Sequence, residues 1–208
     1  MRTTISRWTL GGSRWRIRSL ADRSQHADPR GEAARRGITD AAWPFFGLVW
    51  PAGVVLADAV GGMALRGRRV LELGCGLALA GLVAQRRGAD ITVSDRHPLA
   101  SGFLAANARL NGLAPVRYRH LDWGGADRVE GRFDLIVGSD VLYEAWHAEQ
   151  LVALVDRHGT DAVDVVVADP GRRGRVVFVR EMVARGFVVA ERQAGGRLRV
   201  LSASRTSP

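Results

Sequence analysis

Five strand-sized apolar runs, Arg69–Leu73, Asp90–Ser94, Val116–His120, Phe133–Ser139 and Ala162–Ala168, alternate with segments of helix length. Those segments are Ala78–Arg87, Pro98–Asn111, His147–His158 and Gly174–Arg185. Strands separated by a helical crossover pair in parallel, whereas a tight turn makes neighbours antiparallel. The alternation therefore predicts an α/β fold: a doubly wound, mostly parallel, seven-stranded sheet. The ending departs from the pattern. Phe187–Glu191 and Leu198–Ser202 flank Gly195-Gly196 and predict a closing antiparallel hairpin.

The chain before this alternation has a different character. Arg7–Leu10 and Trp15–Leu20 surround Gly11-Gly12, a hairpin signal, and Asp22–Arg36 is polar with a break at Asp28-Pro29-Arg30-Gly31. Residues 1–40 are expected to form a hairpin-and-loop extension, and 41–208 the main domain. The aromatics from Trp43 to Trp50 read as cover over the sheet, and Pro51 suits the first turn of a helix over Gly53–Leu65.

Composition limits the function classes. With 208 residues, 47% of them hydrophobic, the chain can bury one sizeable core. The apolar runs read as too short to span a bilayer, and the Arg-rich start lacks the apolar stretch of a secretory signal. A cytoplasmic monomer without membrane contact is expected. The lone Cys75 excludes an intrachain disulfide and a Cys-cluster zinc site, the five histidines show no ligand spacing, and no metal is expected. The net charge is +9, and all 30 Lys-or-Arg positions are arginine. They are spread along the chain, with no basic tail and no aromatic ladder between them, so no dedicated nucleic-acid surface is expected.

The first strand runs into Val70-Leu71-Glu72-Leu73-Gly74-Cys75-Gly76-Leu77 and then a helix. Glycines here permit a tight turn and close approach of a ligand, and a helix start offers unpaired N–H groups. NAD, FAD and S-adenosylmethionine all suit such a loop. A dinucleotide fingerprint needs a third glycine three residues after the second, where this chain has Leu79; its next glycine is Gly81. Asp95 ends the second strand about 20 residues on, where a carboxylate can accept from both ribose hydroxyls; it could equally cap the turn at His97-Pro98. Asp122-Trp123 follows the third strand at the same sheet edge, placed to accept from the adenine amine and to stack on the ring.

Asp140 and Tyr143 follow the fourth strand, at the carboxyl edge where open α/β sheets bind ligands. Were the ligand of this loop S-adenosylmethionine, methyl transfer from its sulfonium would need an in-line approach, a neutral nucleophile and exclusion of water. A carboxylate can orient an incoming amine and an aromatic face can favour the developing cation. Asp140 and Tyr143 are the candidate catalytic pair, with Asp140 also counted among the cofactor residues. Glu144 and Arg172 are candidate acceptor contacts; Arg172 fits either an acidic group of the acceptor or a structural ion pair.

Together, Glu72-Leu73-Gly74-Cys75-Gly76, Asp95, Asp122-Trp123 and Ser139-Asp140-Val141-Leu142-Tyr143-Glu144 resemble the seven-stranded, Rossmann-like S-adenosylmethionine-dependent methyltransferases. Within them, the chain is similar to the branch that methylates protein lysines and N-termini and includes nicotinamide N-methyltransferase-like enzymes. Leu48-Val49-Trp50-Pro51-Ala52-Gly53 resembles that branch's aromatic Trp-Pro-Ser-Gly segment, with Ala52 replacing the small polar residue. Asp169-Pro170-Gly171-Arg172 resembles a segment of the electron-transfer-flavoprotein lysine methyltransferases. The similarity covers Trp43 to Ser202. It implies that Gly74 and Gly76 cradle the methionine part of the cofactor, Glu72 supports that loop or the amino group, and Trp50 closes over the site. It also implies that Asp95 holds the ribose, that Asp122 and Trp123 bind adenine, and that the Asp140-to-Tyr143 segment lines a lysine channel.

The acceptor is thus expected to be a protein lysine or N-terminal amine, with a small amine or heterocycle as the alternative. No Asn-Pro-Pro-aromatic segment follows the fourth strand, which argues against a methylase for DNA adenine or glutamine amides. Two readings from other classes stay open: an NAD-binding oxidoreductase, and a fold that binds without catalysis. A lysine-free chain cannot methylate its own side-chain amines.

Overall fold

The computed structural model describes residues 1–125 and 127–205. Strands β1 (Thr3–Leu10) and β2 (Ser13–Leu20) form a separate two-stranded sheet. The main sheet contains β3 (Arg69–Leu73), β4 (Asp90–Asp95), β5 (Arg117–His120), β6 (Phe133–Ser139), β7 (Gly159–Asp169), β8 (Val188–Gln193) and β9 (Arg199–Ser204). Their spatial order is β5-β4-β3-β6-β7-β9-β8. The first five pair in parallel, and β9 is antiparallel to both β7 and β8. This is the seven-stranded sheet with a closing hairpin that the alternation predicts. Element ends differ by a few residues: the closing strands run further, and the helix expected over Gly53–Leu65 starts at Pro51 and stops at Gly61.

Both faces of the sheet are covered, so its strands alternate between two apolar cores. Val70, Leu135, Val137, Val166 and Ala168 face one layer, with α2 (Pro51–Gly61), α3 (Leu79–Arg86) and α4 (Ala100–Leu110). Leu71, Leu73, Ile136, Val165 and Val167 face the other, with α5 (Ala145–His158) and α6 (Gly174–Ala184). A short helix, α1 (Glu32–Arg35), lies in the N-terminal loop.

The N-terminal hairpin turns at Gly11 and Gly12, with φ of 54° and 74°, the backbone its tight two-residue turn needs. Leu10, Trp15, Ile17 and Leu20 enter the first core together with residues of the main domain. Asn107 on α4 and Asn111, which caps its C-terminus, act as a substitute strand for β2. Asn107 accepts from the Arg18 N–H at 2.7 Å and donates to its carbonyl, and Asn111 does the same for Arg16 at 2.9 Å. The free edge of β2 is thereby satisfied by side chains.

One expectation needs correction. Trp43–Gly61, 19 residues, is long and apolar enough to cross a bilayer by length and composition. The chain uses it otherwise. Trp43–Gly47 is a 3-10 turn, Leu48 and Trp50 are extended, and α2 begins at Pro51. Trp43, Phe46, Leu56 and Val60 from this stretch are buried in the first core.

Candidate active site

The carboxyl ends of β3, β4 and β6 open into a cavity of about 390 Å³. At its floor the β3 strand turns into α3 through Gly74 and Gly76, at φ of 61° and 51°. A Cβ on Gly76 would meet the Phe46 carbonyl oxygen at 2.9 Å, so only glycine leaves the loop open here. The glycine that breaks the dinucleotide pattern, Gly81, has its own reason. Its N–H donates to Glu72 Oε2 at 2.7 Å, and a Cβ there would fall 2.7 Å from the same oxygen. Glu72 thus ties β3 to the first turn of α3. Burial pushes its carboxyl up to about 8, against the opposing effect of the Gly81 hydrogen bond.

Asp95 fastens the loop from the neighbouring strand. Its Oδ2 accepts from Gly76 N–H and its Oδ1 from His97 N–H, each at 2.8 Å. Burial raises its pKa, and these hydrogen bonds oppose the rise. The carboxylate therefore both caps the turn and lines the cavity. Asp122 holds its own turn, its Oδ1 accepting from Gly124 N–H at 3.2 Å, and Trp123 stands beside it on the cavity wall. Trp50 also lines the cavity, its indole N–H donating to the Phe45 carbonyl at 2.8 Å. Burial raises the Cys75 thiol well above its usual range, which suits a small lining group.

At the other end of the cavity lie Asp140 and Tyr143. Asp140 is, with Ala78, one of two non-glycine residues at positive φ among the described residues, at 52°, and its N–H donates to the Ala168 carbonyl at 2.8 Å. Its carboxylate is only 8% exposed and is taken by Arg172 in a two-bond clamp, Nε to Oδ1 at 2.7 Å and Nη2 to Oδ2 at 3.0 Å. Arg172 is in turn set by Asp169, whose Oδ1 accepts from the Gly171 and Arg172 N–H groups. The guanidinium also lies over the Tyr143 ring, 4.7 Å from its centroid. Burial, with the Asp140 charge beside it, pushes the Tyr143 phenol up to about 12.

Trp50, Glu72, Gly74, Gly76, Asp95, Asp122, Trp123, Asp140 and Tyr143 all line this one cavity. Two predicted acceptor contacts stand outside it. Glu144 caps α5, reciprocally with His147, and Arg172 makes the structural ion pair behind Asp140. Asp140 itself does not cap that helix. Residue-by-residue reading passed over Phe45, Arg96, His97, Trp146 and His147, which also line the cavity. The usable signal was position: Arg96 and His97 directly follow the acid that ends β4, and Trp146 and His147 follow the Asp140-to-Glu144 segment. His97 stacks on Phe46 at 3.7 Å between ring centroids, and burial lowers its pKa to about 4, so it stays neutral.

Comparison with known proteins agrees with this geometry. The chain is 41% identical over 104 residues to the Danio rerio protein N-lysine methyltransferase METTL21A, covering 46% of this chain and 47% of that protein. It is 32% identical over 133 residues to the Mus musculus electron transfer flavoprotein beta subunit lysine methyltransferase, covering 62% and 51%. The chain thus spans about half the length of the curated relatives it matches. Its fold superposes on the T. thermophilus 16S rRNA methyltransferase RsmC, solved with AdoMet and guanosine, with a TM-score of 0.71. That likeness has 18% identity and covers 99% of this chain and 51% of that one. A family model described as lysine methyltransferase matches residues 45–182, and the chain belongs to that family.

Proposed function

We propose that the chain is an S-adenosylmethionine-dependent N-methyltransferase whose acceptor is a lysine amine of another protein. The observation that carries this reading is the single cavity joining the glycine loop, Asp95 and Asp122-Trp123 to Asp140 and Tyr143. The loop fits the cofactor because Gly74 and Gly76 line the cavity without side chains, held at positive φ against Val141 and the Phe46 backbone. Gly74 and Gly76 would take the methionine part beside Glu72, Asp95 the ribose, and Asp122 with Trp123 the adenine. When bound, the cofactor supplies an electrophilic methyl group on a positively charged sulfur.

The chain's own residues do the rest by positioning and exclusion. Phe45, Trp50, Tyr143 and Trp146 wall the acceptor end and keep water from the reacting amine. Their faces favour the cation that forms on nitrogen. Tyr143 stays protonated at neutral pH, so it offers an O–H and a ring and not a phenolate base. Asp140 is charge-compensated by Arg172, so it orients through a fixed geometry without drawing the amine into a tight ion pair. The neutral amine is then selected from solution, and its excess proton leaves with solvent.

Calorimetric titration with S-adenosylhomocysteine, and separately with NAD, tests the cofactor. Binding to the native protein that weakens at least tenfold in Asp95→Ala, without an NAD response, is expected. The acceptor is tested by labelled-methyl transfer to cell lysate followed by hydrolysis, with label expected in methyl-lysine. Because this chain has no lysine, such label must come from an acceptor. NAD binding would overturn the cofactor assignment, and label confined to methylarginine or a small molecule would overturn the acceptor.

A further inference from the structure

Two guanidiniums stand near the acceptor end: Arg96 lines the cavity, and Arg172, outside its lining, lies over the Tyr143 ring. Arg96 directly follows the carboxyl end of β4, and Arg172 lies just beyond that of β7. Strands β3 and β6 lie between those two strand ends, and the Arg172 guanidinium reaches back onto Asp140 at the exit of β6. Arg96 is exposed, lines the cavity, and its side chain makes no hydrogen bond or ion pair among the described residues. Arg172 spends Nε and Nη2 on Asp140, and its Nη1 has no partner among the described residues. Arg36 adds a third cation beside the first, its Nη1 donating to the Arg96 carbonyl at 3.1 Å. Asp140 is already paired with Arg172, and no carboxylate bonds the Arg96 side chain among the described residues. Between the cations the rim carries exposed aromatics, Trp146 at 51% and Phe45 at 41%.

We infer that this rim reads acidic side chains on both sides of the acceptor lysine, so that the preferred acceptor is an extended segment of the form acid–x–Lys–x–acid. The inference rests on the lysine reading above and gives its substrate class. In an extended chain residues two apart share a face. A lysine pointing into the cavity therefore directs its neighbours at −2 and +2 to the same side, toward Arg96 and Arg172. A charge-assisted hydrogen bond to either guanidinium strengthens docking and leaves the methyl-transfer step alone.

The test uses three synthetic peptides that share a central lysine and carry Glu, Gln or Arg at −2 and +2. Labelled-methyl transfer gives KM and kcat, and fluorescence anisotropy with S-adenosylhomocysteine present gives binding without turnover. The Glu peptide is expected to show a roughly tenfold lower KM than the Gln peptide at similar kcat, with the advantage shrinking at high salt. Arg96→Glu should move the preference toward the Arg peptide, and Arg96→Gln should flatten the Glu-to-Gln ratio. Both variants are first checked for S-adenosylhomocysteine binding. Equal use of the Glu and Gln peptides by the native protein, or a ratio that neither variant changes, would overturn the inference while leaving the lysine reading standing. If no peptide is methylated although S-adenosylhomocysteine binds, the anisotropy comparison decides the inference, equal binding of the Glu and Gln peptides overturning it, and the lysine reading is decided by the lysate test.

Discussion

Glu72 shows how one residue can hold a site and also respond to pH. Its carboxyl is buried, bonded to the Gly81 N–H, and has a pKa raised to about 8 from 4.5. The folded protein therefore keeps a proton that the unfolded chain gives up. Linkage then requires that stability be fully present below about pH 4.5 and decline as pH rises through the folded value near 8. Glu72→Gln keeps an oxygen that can accept from Gly81 but has no proton to lose. In urea denaturation without cofactor, the variant is expected to gain on the native protein between pH 5 and pH 8, by on the order of a few kcal/mol. Parallel pH profiles for the two proteins would show that the Glu72 carboxyl is ionised in the fold.

At the scale of elements, the turn from β7 into α6 is what sets the acceptor end. Asp169 fixes the turn, the turn delivers Arg172, and Arg172 clamps Asp140 on the neighbouring strand's exit. Removing the guanidinium leaves a nearly buried carboxylate without its counter-charge. Arg172→Gln should lower stability by about 1–3 kcal/mol in urea denaturation, discounted from a fully buried pair because Arg172 is partly exposed. An unchanged midpoint would mean that Asp140 finds another partner. The sequence carried both halves of this pair, and it left open whether Arg172 met the acceptor or another residue. Choosing required knowing that residues 32 apart end on adjacent strands, which follows from sheet order alone.

Over the whole molecule, the N-terminal hairpin and the main sheet share one core. Trp15 is 2% exposed, packs in the same cluster as Leu82 and Val83 of α3, and has Arg86 over its ring at 3.6 Å. Trp15→Ala should cost about 3–5 kcal/mol and shift a single unfolding transition of the entire chain. If the hairpin were an appendage, the variant would lose only local structure and keep the domain's midpoint. Urea unfolding followed by far-ultraviolet circular dichroism separates the two outcomes. The loop and helix of residues 22–38 likewise reach the site, since Ile38 lines the cavity and Arg36 meets the Arg96 backbone.

What the sequence determined by itself was whatever depends on near neighbours along the chain. Strand and helix periods are local, and parallel pairing follows from the length of each crossover. The turn at Gly74 to Gly76 and the acids ending successive strands share one edge because every parallel strand exits on the same side. Tertiary structure decided the pairings that no local pattern encodes. Asn107 and Asn111 completing a strand 89 and 95 residues away is one case. The diversion of an apolar 19-residue stretch into a turn, a bend and a core helix is another. Arg172 was turned toward Asp140, and the Arg96 side chain was left without a partner among the described residues. The physical reason is common to all four: a polar or apolar group's partner is chosen by burial and by which surfaces meet, and those exist only once the layers have packed.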